Sequence, residues 1–182
     1  MRGLLVVALV ALLAWLWSRQ ARATEGAAPA AGQAPAVPVG SSGQNPSLIA
    51  DIQAVAQAEG VPPAVLFGIA SAEQDTTNSA EWNPNAINLS DPYGGAWGLT
   101  QVLAGTAYGL GYQVPQELLN PVAALTATAK YLRKYASNVD NIAEDAQLYN
   151  AGPDATFIDT PYIDKVLAAA RAWPSVQAGT IA

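Results

Sequence analysis

Histidine and cysteine are both missing from this chain, and their absence removes several chemistries at once. There is no Ser–His or Cys–His pair to form a nucleophile, no imidazole or thiolate to hold zinc, and no disulfide framework. Positive charge is scarce as well. Eight Lys and Arg stand against fourteen Asp and Glu, for a formal net charge of −6. The eight form no cluster that could follow a phosphate backbone, so nucleic acid is excluded as a partner. Chemistry is left to carboxylates, hydroxyls, amides and the backbone, and no metal or cofactor is expected. The lack of Cys does not fix the compartment, since secreted proteins with a large core manage without disulfides.

What the sequence has in quantity is apolar surface. Hydrophobic residues make up 51% of its 182 positions, enough for one sizeable core and one compact domain. They are unevenly spread. Residues 1–23 carry the apolar run Leu4 to Trp17, preceded by Arg2 and followed by Arg19 and Arg22. Fourteen residues make a helix of about 21 Å, short of a hydrocarbon core of roughly 30 Å. Ala21-x-Ala23 resembles a small-residue cleavage site, whereas Trp15, Trp17 and the flanking arginines suit an uncleaved anchor. Signal peptide and membrane anchor both stay open, as does orientation. Either way the domain is expected at a membrane or beyond it, anchored or exported to the periplasm or cell envelope, or on a virion membrane.

Residues 24–46 are rich in Ala, Gly, Pro and Ser, with almost no large apolar side chain. They cannot bury enough surface to offset ordering entropy and read as a flexible tether. The domain is expected over 47–174, with a frayed tail at 175–182. A first helix follows Asn45-Pro46-Ser47 and stops at Gly60. A second runs from about Pro63 to Gln74, where Leu66, Ile69, Ala70 and Glu73 fall on one face. That spacing puts a carboxylate among apolar neighbours at a helix C-terminus. Burial and the helix dipole both favour its protonated form there, which makes Glu73 a candidate general acid.

Asp75 to Gly95 is a long stretch of turn signals, among them Asn83-Pro84-Asn85, Asp91-Pro92 and Gly94-Gly95, and a loop of that length is commonly functional. A short extended piece near Trp97 to Val102 and a brief helix over Ala104 to Leu110 come next. Further helices follow from Asn120-Pro121 to about Ser137, from about Asn141 to Asn150, and from Thr160-Pro161. Tyr162, Val166, Ala169 and Trp173 line up on the last of these.

Glu73, then Gly98-Leu99-Thr100-Gln101, then Leu148-Tyr149-Asn150-Ala151-Gly152 occur in an order and spacing that resembles the soluble lytic transglycosylase (SLT) domain, of the lysozyme-like fold that includes goose-type lysozymes. The resemblance covers roughly Ser47 to Trp173. It implies a mainly α, lysozyme-like helical domain with at most a small β element and a sugar-binding groove. It also implies that Glu73 cleaves the β-1,4 bond between N-acetylmuramic acid and N-acetylglucosamine in peptidoglycan, alone, by way of a 1,6-anhydro ring. Gln74, Gln101, Tyr149, Asn150 and Gly98 are then expected around the substrate, with Tyr93, Trp97 and Tyr108 as stacking faces or core. Asn150 could instead cap its helix.

Three departures stand out: Gln74 where the family usually has Ser, Thr100 where it has Met, and Leu148 where it has Ala. Two alternatives follow. Asp75 or Asp91 could act as base in a hydrolytic lysozyme, or the domain could bind the wall without cutting it. Glycan strands are the expected partner, in a bacterial envelope, a secretion machine or a phage virion.

Overall fold

The computed structural model describes residues 44–90 and 94–177. The hydrophobic run and most of the tether lie outside the described residues, as do Asp91 and Tyr93. Helix α1 spans Pro46–Glu59, its first N–H groups capped by the Asn45 side chain, which accepts from Ser47 and Leu48. Gln44 and Asn45, which composition groups with the tether, already grip the domain. The Gln44 amide donates to the Thr77 carbonyl at 3.0 Å and accepts from Ser79 Oγ at 2.7 Å, while the Asn45 N–H donates to that same hydroxyl.

Helix α2, Pro63–Glu73, starts on two prolines and is buried without a break from Val65 to Ala72. The sequence suggested an amphipathic helix with one apolar face. Instead α2 is the central helix, enclosed on every side, and only its last residues emerge. After it come three two-residue strands, β1 (Ile87–Asn88), β2 (Ala96–Trp97) and β3 (Val102–Leu103), paired antiparallel in the order β1-β2-β3, with Ile87 opposite Trp97 and Trp97 opposite Val102. Helix α3 (Ala104–Gly109), a 3₁₀ turn (Pro115–Leu119), α4 (Pro121–Tyr135), α5 (Ile142–Ala151) and α6 (Thr160–Gln177) complete the domain.

The mainly helical architecture with a small β element is the one expected. Among the described residues no helix is long and apolar enough to cross a membrane. Helix α6 runs through Pro174 to Gln177 instead of fraying at Ser175, because Trp173 and Val176 on its inner side are buried in the core. Phe67 of α2 sits between Trp82 and Trp173, with ring centroids 5.4 and 5.3 Å away. Among the described residues, α2 and α6 share the most extensive helix–helix contact. A Cβ at Gly68 would lie 2.8 Å from the Val166 carbonyl oxygen, so only glycine lets the two backbones approach this far.

One buried group opposes the fold. Asp145 of α5 is fully buried, and neither of its carboxyl oxygens has a hydrogen-bond partner. Burial, followed by the neighbouring Glu144 and Asp140, raises its pKa from 3.8 to about 7. The folded protein therefore holds this proton more tightly than the unfolded chain does. Stability must fall as pH climbs from about 4 to about 7 and then level off, by up to roughly 4 kcal/mol. Asp145→Asn, which cannot ionise, should match the parent's Tm near pH 4 and exceed it by up to about 10 °C or more at pH 8. An equal difference at both pH values would show that ionisation of Asp145 is not the cause.

Candidate active site

The site assembles around the last turn of α2 and the four-residue turn that joins β2 to β3. That turn needs two left-handed residues, Gly98 at φ 75° and Gln101 at φ 52°. Gly98 is forced by space as well, because a Cβ there would run into the Leu118 carbonyl. Gln101 tolerates the strained conformation with its side chain folded back: its amide nitrogen donates to the carbonyls of Gly98 at 2.9 Å and Ala86 at 3.1 Å. The same turn is held from two further directions. Gln74 donates to the Leu99 carbonyl at 2.8 Å and accepts from the Asn83 N–H at 2.9 Å. Tyr149 of α5 donates its hydroxyl to the Thr100 carbonyl at 2.7 Å and lies 3.3 Å from Thr128 Oγ1. The second and third sequence motifs are thus stitched together beside Glu73.

Glu73 closes α2 half-buried. Its Oε1 accepts a hydrogen bond from the Tyr162 hydroxyl at 2.9 Å, across 89 residues of chain. Tyr162 is placed in turn by α5. On one side of that helix Gln147 clasps the following loop, donating to the Phe157 carbonyl at 2.6 Å and accepting from the Asp159 N–H at 3.0 Å. One turn on, Asn150 donates to Asp159 Oδ2 at 2.7 Å. The other oxygen of Asp159 accepts from the Tyr162 N–H at 3.2 Å and caps the start of α6. A chain of side chains, Asn150 to Asp159 to the first turn of α6, therefore sets the phenol against the carboxyl.

The residues singled out from sequence separate into groups. Glu73, Gln74, Gly98, Gln101, Tyr149 and Asn150 converge. Within that set Gln74, Gln101 and Asn150 spend their amides on protein partners, and Gly98 serves close packing. Asn150 is buried inside α5, whose C-cap is Gly152. Of the two readings of Trp97, core is correct: it is 8% exposed, and its indole N–H donates to the Gly94 carbonyl at 2.8 Å. Tyr108 is exposed on α3. Asp75 sits at φ 54° on the surface, its carboxylate 2.6 Å from Lys165 Nζ. Tyr93 and Asp91 lie outside the described residues.

Sequence reasoning missed Tyr162, Asp159 and Gln147 as parts of the site. A local signal did exist for Asp159: an Asp two residues before a proline that opens a helix is an N-cap signature. No local signal exists for Tyr162, whose position on the inward face of its helix reads as core.

Residues 51–158 match the family model described as the transglycosylase SLT domain. No curated protein matches the chain.

Proposed function

The chain belongs to the transglycosylase SLT domain family, whose general activity is the lytic, peptidoglycan-directed kind, and on that premise we propose that it cleaves glycan strands with Glu73 as the sole acid and base. The observation that carries this reading is the environment of the second carboxylate. Asp75, next in the chain after Gln74, is surface-exposed and ion-paired to Lys165, and Asp159 is committed to Asn150 and a helix cap. Of these two carboxylates among the described residues, neither is placed to activate a water on the far side of a sugar; Asp91 lies outside the described residues.

The step then runs through one side chain. Glu73 gives its proton to the glycosidic oxygen as the bond from that oxygen to C1 of the muramyl residue breaks. The C6 hydroxyl of the same sugar attacks C1 and returns its proton to Glu73, which ends as it began. No water is consumed, and the nucleophile is already in the substrate. Tyr162 holds Glu73 in one rotamer throughout. Digestion of intact peptidoglycan should release 1,6-anhydromuramyl ends, lighter than hydrolytic ends by one water in the mass spectrum. A digest dominated by reducing ends would reject the single-carboxyl route.

The setting proposed with this chemistry is the cell wall, either the bacterial envelope or a virion that must breach it, with residues 4–17 directing the chain to a membrane. Fractionation of cells against purified particles separates the two settings.

A further inference from the structure

The contacts that reach Glu73 close on themselves. From Glu73 the path runs to Gln74, whose amide donates to the Leu99 carbonyl at 2.8 Å, and on to Thr100, whose carbonyl accepts from the Tyr149 hydroxyl at 2.7 Å. Asn150 follows Tyr149 and donates to Asp159 at 2.7 Å. Asp159 accepts from the Tyr162 N–H at 3.2 Å, and the Tyr162 hydroxyl returns to Glu73 at 2.9 Å. Every link is a peptide bond or a hydrogen bond, so the acid lies on a closed circuit. The joint between Thr100 and Tyr149 stands opposite it.

That joint has a brace from outside the circuit. Thr128 of α4 is fully buried, as is Thr100. The Thr128 Oγ1 is 2.9 Å from Thr100 Oγ1, 3.0 Å from the Ala124 carbonyl oxygen and 3.3 Å from the Tyr149 hydroxyl. Thr100 Oγ1 lies 3.3 Å from the same Ala124 carbonyl. All the other buried residues of α4 are Ala or Leu, so the one polar side chain that this helix buries is placed where the 98–101 turn and α5 meet.

A helical threonine can satisfy itself on the carbonyl four residues back, and valine would fill the same space with no polar atom to bury. Neither point explains two buried hydroxyls that meet each other beside a tyrosine. Counting protons does. The Thr100 carbonyl can only accept, which commits the Tyr149 proton to it. The phenol oxygen is left as an acceptor, and the threonine pair faces it.

We propose that Thr100 and Thr128 are positioning residues that act as one unit: their paired hydroxyls lock the Tyr149 phenol onto the Thr100 carbonyl and so hold both arms of the circuit in register at Glu73. The turn reaches the acid through Gln74, and α5 reaches it through Asp159 and Tyr162, so a slip at this joint moves both. Each threonine is closed to solvent and acts on the reaction only through Tyr149. The effect on turnover rests on the peptidoglycan reading above; the hydroxyl pair itself does not.

Two substitutions separate positioning from packing. Thr128→Val keeps the volume and removes the hydroxyl, whereas Thr128→Ser keeps the hydroxyl and removes a buried methyl group. In the release of soluble fragments from peptidoglycan, Thr128→Val should lower kcat about tenfold with KM nearly unchanged, the worth of one hydrogen bond. Thr128→Ser should stay within about twofold of the parent although its Tm is the lower of the two. Thr100→Val should match Thr128→Val, and the double variant should be no worse than either single one. Independently of turnover, the ring signals of Tyr149 in the NMR spectrum of the full chain with isotope-labelled tyrosine should shift in both valine variants and stay in place in Thr128→Ser. Activity that follows Tm across the set, losses that add in the double variant, or Tyr149 signals indifferent to the valine changes overturn the proposal. A parent that releases no fragments would instead reject the peptidoglycan reading, and the Tyr149 signals alone would then decide the role of the pair.

Discussion

Glu73→Gln should abolish the clearing of purified peptidoglycan and leave the circular dichroism spectrum and Tm of the parent intact. The amide keeps the shape of the side chain and an oxygen that can still accept from the Tyr162 hydroxyl, now at 2.9 Å, but it has no proton to give the leaving oxygen. Loss of general acid catalysis alone removes a factor of about 10²–10⁴. Here the same group also returns as base, so the loss belongs at the upper end or beyond. Tyr162→Phe is the graded companion: the acid survives but loses the contact that orients it, and activity should drop by a smaller factor. Clearing by Glu73→Gln at the parent's rate would remove Glu73 as the acid, whereas binding of peptidoglycan by the parent with no clearing at all would favour a wall-binding protein that does not cut.

The largest effect on stability should come from Gly98→Ala, one methyl group at the centre of the β2–β3 turn. Two costs coincide there. An L-residue at φ 75° pays about 1–2 kcal/mol of backbone strain. In addition the new Cβ would overlap the main-chain carbonyl of Leu118, which has no rotamer to move into. The turn cannot shift without breaking the bonds that reach Leu99 and Thr100 from Gln74 and Tyr149. We expect a loss above about 3 kcal/mol, in the range reserved for specific mechanisms of damage, seen as a clear fall in the urea midpoint. A midpoint within error of the parent would mean that the turn yields more readily than its contacts imply.

These two residues show how differently the sequence discloses a site. Glu73 was legible because a carboxylate beside apolar residues at a helix end is locally anomalous, and because two further motifs follow at fitting distances. Gly98 was legible as part of a motif, but its reason was not: nothing local says that the Leu118 carbonyl will stand against it. Gln74 and Trp97 were legible as polar and aromatic groups near the site. Their direction was not, and the structure turns the first toward the Asn83 and Leu99 backbone and the second into the core. Sequence gives residue type and spacing along one element, whereas facing depends on neighbours that arrive from elsewhere. Tyr162 is the extreme case, since its partner lies four helices earlier. The helices were placed well, because caps such as Asn45 and Asn120 and prolines at first turns act within a few residues.

The distance in chain between Glu73 and Tyr162 also has a bearing on time. Contacts of such long sequence separation form late, because the intervening loop must close before they contribute. Domains generally fold as units, from the N-terminus during synthesis. The Glu73 carboxyl and the 98–101 turn can meet once α5 has emerged, but the hydroxyl that fixes the acid, and the Val166 backbone that packs against Gly68, are on α6. A growing chain thus has all three sequence motifs before it has the last helix. The partner that orients the Glu73 carboxyl is withheld until that helix docks, so the order of synthesis leaves the geometry around Glu73 as the last part of the domain to be set.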